Sequence, residues 1–394
     1  MLKAKVSSSN KADTIQAAYE AANGIKATLS DIDVAFVYSS VGHDSRQLID
    51  SISEAIPGIQ VVGNTSFTGV ITPDGFVGGD DNFVGILALS DDELTVGVAG
   101  RSKDGTARET GKAVALEALQ AAGKSVTGKI QTPDYFYMVA NPGEEEFFLK
   151  GIEDVIGRVP FFGGSAADNT IEGYWSLFTD KEIITDGVAV AFFYTEGTNK
   201  FANLFTGAYN ETTDRGIITK VRDNRTLEEI DGVPALKKYA EWRGVEPDSL
   251  LGATLLAETV VSPLGVKDRL GDLTAIRHPM FGNDDYSMNI GANLAVGTAI
   301  LRVEASVDEI IAAAGANVTN LIEKLGHKPS VLHLVHCGGR RAAIADRIDE
   351  VYDVIKAAAG DIPFLVEFTF GEYGYEDDGN NTTGGLMLSF TAFA

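Results

Sequence analysis

Cys337 is the only cysteine in the chain. It ends an apolar run, Val331-Leu-His-Leu-Val-His, and is followed directly by Gly338-Gly339-Arg340-Arg341. A thiol at a helix start beside two guanidinium groups is expected to have a lowered pKa and thiolate character. That is what a nucleophile in acyl or thiol transfer needs, although no His is plainly supplied as its base, His336 and His278 being the candidates left open. The plainer reading of Cys337 is a small buried apolar residue at a strand end. The same four residues suggest a second chemistry. The N–H groups of Gly338 and Gly339, with the forked guanidinium of Arg340, form a cradle for a carboxylate or phosphate. Alternatively, Arg340 pairs with Asp346 or Asp349 at the surface. A second polar turn is Phe161-Phe-Gly-Gly-Ser-Ala-Ala-Asp168. Gly164 there permits close backbone approach, and Ser165 and Asp168 can hydrogen-bond a polar ligand. A third is Phe370-Gly-Glu372, whose Glu372 can meet an ammonium group or pair with Arg340. Glu367, inside the strand that leads to it, is expected on a solvated face. His333 and His336 lie three apart on one strand, point to opposite faces and cannot share a metal, so no metal site is read. No P-loop, Gly-x-Ser-x-Gly elbow or Gly-x-Gly-x-x-Gly turn is present, and no cofactor is implied.

These turns belong to a phrase written three times. An apolar strand leads into a helix, a Pro-led strand runs into a Gly/Ser/Thr-rich turn, and another apolar strand closes the unit. The copies begin at Asp33-Val-Ala-Phe-Val-Tyr, Asp134-Tyr-Phe-Tyr-Met-Val and Val331-Leu-His-Leu-Val-His. Their Pro-led strands begin at Pro57, Pro160 and Pro363. Each has a preface of strand and helix, with helices expected near 13–28, 105–122 and 307–325 from apolar residues at helical spacing. Leu294–Leu301 is the expected preface strand of copy three. The interval between copies two and three is close to twice that between copies one and two, which leaves room for a fourth, degenerate unit near 200–293. Within it, Ser262–Asn289 has the weakest regular signal and is expected to form long loops. The fold class is therefore α/β: duplicated strand-helix-strand units forming mixed, mainly buried sheets covered by helices, a layered α/β sandwich.

With 394 residues and 44% hydrophobic content, the chain can bury a sizeable core. Its net charge of −24 argues against nucleic-acid backbones and anionic lipid surfaces as partners. The first residues look like a strand and no apolar run is long enough to span a membrane, so neither a signal peptide nor a membrane segment is read. A single cysteine fits a reducing cytoplasm.

Residues 1–198 resemble FIST N domains, on Val62-Gly-Asn-Thr-Ser66 and Phe162-Gly-Gly-Ser-Ala-Ala-Asp168. Residues 199–394 resemble FIST C domains, on Glu229-Ile-Asp-Gly-Val-Pro-Ala-Leu236, Ile276-Arg-His-Pro279, Cys337-Gly-Gly-Arg340, Phe370-Gly-Glu372 and Asn381-Thr-Thr383. The resemblance implies a sensory module that binds small molecules such as amino acids. By position it implies that Arg277, Cys337, Arg340, Glu372 and Asn381 belong to the site. The chain departs from the family pattern at Asn64, where a cysteine is common, and at Gly69-Val70, where Gly-Glu is usual. No kinase, methyl-accepting or cyclase output segment is legible, so signalling would pass to a separate partner. The expected function is a cytoplasmic sensor for an amino-acid-like ligand or another small carboxylate. In it the carboxylate faces Arg340 and the Gly338–Gly339 amides, the ammonium meets Glu372 or Asp168, and Tyr373 or Phe162 walls the pocket. Two other classes compete: an enzyme with Cys337 as nucleophile, and a scaffold acting through its acidic surface.

Overall fold

The computed structural model describes residues 2–197, 200–267, 273–376 and 380–394. Helices begin where the sequence supplies caps. Asp13 accepts from the N–H of Gln16 at the head of Thr14–Lys26, and Asp44 accepts from that of Gln47 at the head of Ser45–Ala55. Thr106 with Glu109, and Ser306 with Glu309, form capping boxes on Ala107–Ala121 and Val307–Leu325.

The three copies build three six-stranded sheets of one plan. In the first, the preface strand Lys3–Ser9 pairs antiparallel with the closing strand Val84–Ser90, which pairs antiparallel with Val34–Ser39. Val34–Ser39 then runs parallel to the Pro-led strand Val61–Thr65. The second sheet repeats this order with Thr95–Ser102, Gly187–Tyr194, Tyr135–Ala140 and Phe161–Ser165. The third repeats it with Phe201–Thr206, Leu388–Phe393, Val331–Cys337 and Phe364–Thr369.

Each sheet is completed by a hairpin from a different copy. The hairpin Leu177–Thr179 and Ile183–Ile184 of copy two joins the first sheet through Leu177 and Asn64. Glu372–Tyr375 and Asn381–Gly384 of copy three join the second through Glu372 and Gly164. Gly69–Thr72 and Gly75–Gly78 of copy one join the third through Val70 and Glu367. The exchange closes in a cycle, so strands from each half of the chain complete a sheet of the other half.

Helix pairs cover the outer faces: Thr14–Lys26 with Ser45–Ala55, Ala107–Ala121 with Glu145–Ile156, and Val307–Leu325 with Ile348–Ala359. The inner faces meet in one core that includes Phe36, Tyr137, Phe162, Leu365 and Phe393. The second parallel pair of each sheet places Phe36, Tyr137 and His333 at equivalent positions. Their rings touch, with centroids 5.0–5.8 Å apart, around the pseudo-threefold axis. The α/β class is as expected: mixed, largely buried sheets layered with helices. No helix among the described residues is long and apolar enough to cross a membrane.

Four expectations are corrected. The stretch near 200–293 is not a fourth copy of the phrase. Phe201–Thr206 supplies the preface strand of copy three, and the residues between it and Val307 form an inserted antiparallel sheet with its own small core. The strand expected at 294–301 is not a preface: it lies at Ala299–Glu304 and pairs with Asn210–Arg222 and Leu264–Lys267 in that insertion. Ser262–Asn289 is not mainly loop: it contributes Leu264–Lys267, Thr274–Arg277 and Pro279–Gly282 and runs into Met288–Ile290, with residues 268–272 outside the described set. Short strands of this kind take their order from pairing partners and carry little periodicity of their own. Finally, Glu367 is fully buried. It faces the axis because the third sheet is covered on both sides.

Candidate functional site

The turns of all three copies converge at the carboxyl ends of the parallel strands, a usual place for ligand crevices in α/β folds. They line one cavity of about 500 Å³. Copy one supplies Phe67. Copy two supplies Pro142, Gly143 and Glu145, together with Ile171 and Trp175 from the following loop. Copy three supplies Cys337, Gly338, Gly339, Phe370 and Leu386. The insertion roofs the space with Arg225, Leu256, Ala257 and His278. Most of the lining is apolar. Phe370 packs tilted against Phe67 at 5.6 Å and edge-on to Trp175 at 6.2 Å, forming an aromatic wall.

Of the ten candidate residues, Cys337, Gly338 and Gly339 line this cavity and seven do not. Cys337 caps the short helix Gly338–Ile344, and its Sγ accepts from the N–H groups of Gly339 (3.2 Å) and Leu386 (3.3 Å). The Gly339 amide of the expected anion cradle is therefore committed to sulfur. Burial pushes the Cys337 thiol well above the usual range, and Glu372 at its back adds to the effect. The backbone N–H groups at the helix start pull the thiol pKa down, but burial outweighs them and no guanidinium charge adds to the pull, so this setting does not favour a thiolate nucleophile.

Arg340 points away from the cavity and is fully buried. Its guanidinium donates to the carbonyls of Gly207 (2.6 Å), Ile310 (3.2 Å) and Leu386 (3.4 Å) and lies over the Tyr209 ring. It reaches neither Asp346 nor a ligand position; it ties three segments together. Glu372 is one layer behind Cys337, accepting from Thr369 Oγ1 and from the Met387 N–H. Burial raises its pKa to about 8. Arg277 donates to the carbonyls of Asn293, Ile276 and Thr383, and burial lowers its pKa to about 10. Asn381, on the edge strand of the second sheet, donates to the Val159 carbonyl in the loop before Phe161–Ser165. Gly164 is a packing position, because a Cβ there would lie 2.6 Å from the Thr369 side chain. Tyr373 and Phe162 belong to the core and do not wall the cavity.

Ser165 and Asp168 act at one remove. Ser165 donates to Glu145 (3.1 Å) and bonds Tyr373 Oη (2.7 Å), holding the Glu145 carboxyl against the cavity. Asp168 accepts from the N–H groups of Thr170, Ile171, Glu172, Gly173 and Tyr174. Burial opposes its charge, but these amides outweigh burial and hold its pKa below the usual value. Asp168 thus shapes the loop that presents Ile171 and Trp175. Asp168→Asn should cost on the order of 2 kcal/mol, as one oxygen loses its acceptor role. It should also shift Trp175 fluorescence, and an unchanged spectrum and denaturation midpoint would refute this role. The stability that Asp168 contributes is present above the ordinary aspartate pKa and is lost as pH falls through its lowered value.

Among the polar lining residues, sequence reasoning missed Glu145 and Arg225 and named His278 only as a candidate base for Cys337. Arg225 donates to Glu145 and Glu146 (2.6 Å each), to the Gly291 carbonyl and to Asn293 Oδ1. Burial raises the Glu145 pKa against the pull of Arg225; at Glu146 burial is outweighed and the pKa falls. His278 bonds the Leu256 carbonyl through Nε2 (3.0 Å), and burial lowers its pKa to about 4. A Cβ on Gly339 would lie 3.5 Å from Cys337 Sγ and 3.6 Å from His278 Cε1, so the two flank one glycine. The Glu-Glu-Glu run at 144–146 and the isolated Arg225 carried no spacing signal.

The FIST N domain model matches residues 33–233, and the FIST C domain model matches 235–375. The chain belongs to the FIST family. FIST domains are sensory domains. The two models meet inside the insertion, where Val233–Pro234 pairs with Thr226–Ile230. No curated protein sequence matches the chain. Distant likenesses exist among solved structures. A cyanuric acid hydrolase from A. caulinodans is 10% identical with a TM-score of 0.38, over 100% of this chain and 99% of that one. A chorismatase is 9% identical with a TM-score of 0.37, over 100% and 98%.

Proposed function

We propose that this FIST protein is a cytoplasmic ligand-binding sensor and that the cavity at the meeting of the three repeat turns holds its small-molecule ligand. One observation carries the reading: every copy and the insertion contribute to a single concave, mostly apolar space with a few placed polar groups, the usual character of a ligand site. A ligand there touches all three sheets and the insertion at once. Binding would bias how the insertion sits on the core and so present a changed surface to a separate signalling protein. The polar contacts of the ligand fall to Glu145, Arg225 and His278, since Arg340 is committed to backbone carbonyls.

Ala257 is exposed at the cavity wall, so a larger side chain there fills the space without breaking the core. Screening a library of small aromatic fragments by thermal shift should find compounds that raise the Tm of the wild-type protein by a few degrees, as mass action requires of a native-state ligand. The same compounds should leave Ala257→Trp unmoved. Equal shifts in both proteins, or none in either, would overturn the placement.

A further inference from the structure

We propose that the cavity selects a small aromatic molecule bearing a cationic or hydrogen-bond-donating nitrogen, such as an arylalkylamine or arylamidine, and rejects carboxylates. The inference rests on the reading of this cavity as the ligand site and narrows its ligand class.

The first argument is a census of donors. An anion needs free N–H groups, and those around the cavity are largely committed. The Gly339 and Leu386 amides donate to Cys337 Sγ. Arg225 spends both Nη2 hydrogens on Glu145 and Glu146, one Nη1 hydrogen on the Gly291 carbonyl and its Nε hydrogen on Asn293. The Arg225 guanidinium is met by the carboxylates of Glu145 and Glu146, and with Arg277 close by the local charges offset one another, so Arg225 presents no unpaired cation to an anion.

The second argument concerns acceptors. His278 is only 7% exposed and lines the cavity. Its Nε2 donates to the Leu256 carbonyl, which makes Nδ1 the acceptor of the neutral ring. No hydrogen bond between Nδ1 and another described residue accompanies this, so the ring leaves an acceptor open to a donor at the cavity wall. Glu145 supplies a second acceptor with its other bonds already made by Ser165, the Gly143 N–H and Arg225. The third argument is the wall of Phe67, Phe370 and Trp175. Its faces suit a planar ring, and they attract a cation where they would repel an anion.

Tryptamine, indole and indole-3-acetate share one ring and differ in charge. Titrated calorimetrically at neutral pH into the full chain, tryptamine should bind at least about tenfold tighter than indole-3-acetate, the scale of one charge-assisted hydrogen bond. Glu145→Gln should weaken tryptamine by about the same factor and leave indole unchanged. His278→Phe should weaken indole and tryptamine alike, and it serves as the second variant if Glu145→Gln does not fold. If indole-3-acetate binds as well as tryptamine, the ligand class is wrong while the cavity remains a binding site. If none of the three binds, the class is overturned. The reading of the cavity itself falls only if the aromatic fragments also fail to distinguish wild type from Ala257→Trp.

Discussion

Replacing Arg340 with alanine is expected to lower folding stability by about 4 kcal/mol or more, the scale of losing several buried charge-assisted hydrogen bonds together. The guanidinium is fully buried and donates to carbonyls from three separate segments. Gly207 follows the third sheet's preface strand, Ile310 lies in the first turn of Val307–Leu325, and Leu386 precedes the closing strand. Removing the side chain leaves a cavity and exposes none of those carbonyls to water. It also takes a positive charge from the neighbourhood of buried Glu372. Arg340→Lys should recover only part of the loss, because one ammonium cannot span the fork. Denaturant unfolding of the three proteins checks this. A loss below about 1 kcal/mol in Arg340→Ala would match a surface salt-bridge arginine and refute the tie.

The second large effect is a pH dependence set at the pseudo-threefold axis. Tyr38, Tyr137, Asn64, His333 and Glu367 meet there with no exposure. Tyr38 Oη lies 2.5 Å from His333 Nε2, Tyr137 donates to Asn64 (3.2 Å), and Asn64 donates to Glu367 (3.1 Å). Burial lowers the His333 pKa to about 3, so the imidazole is neutral and offers the carboxylate no charge. Burial raises Glu367 from 4.5 to about 8. Between those values the folded protein holds a proton that the unfolded chain has released, so stability falls as pH rises through the window. At about 1.4 kcal/mol per pKa unit, the loss by pH 8 is on the order of 4 kcal/mol. Glu367→Gln has no such proton to hold. Its stability relative to wild type should climb from about pH 4.5 to 8 and level off above. A constant difference across that range would show that Glu367 is ionised in the fold. Glu372, raised to about 8 as well, adds a parallel slope that Glu372→Gln isolates.

Much of the architecture was legible in the chain because it rests on local chemistry. Asp13, Asp44, Thr106 and Ser306 announce helix starts by satisfying backbone N–H groups a few residues away. The continuous apolar runs at 34–39, 135–140 and 331–337 announce strands buried on both faces. Their threefold recurrence announces the repeated sheet. That Cys337, Gly338 and Gly339 lie at the cavity end of the sheet was legible too, since a strand-to-helix turn places its residues at a sheet edge whatever surrounds it.

What stayed hidden depends on partners far away in sequence. Nothing near Gly69 says that its hairpin pairs with Glu367 and not with its own sheet. The insertion does not announce itself as a roof, so Arg225 and His278 could not be placed opposite Glu145 and Gly339. Arg340, Asp168 and Glu367 carry the charged side chains of a site or a surface, and sequence reading placed them accordingly. The fold instead closes over all three. Charge type is a local property, whereas the depth at which a charge is buried depends on the whole packed structure. The sequence by itself therefore determined the repeated sheet and the turns where a site could form. The tertiary structure decided which polar groups face the cavity and which hold it in shape.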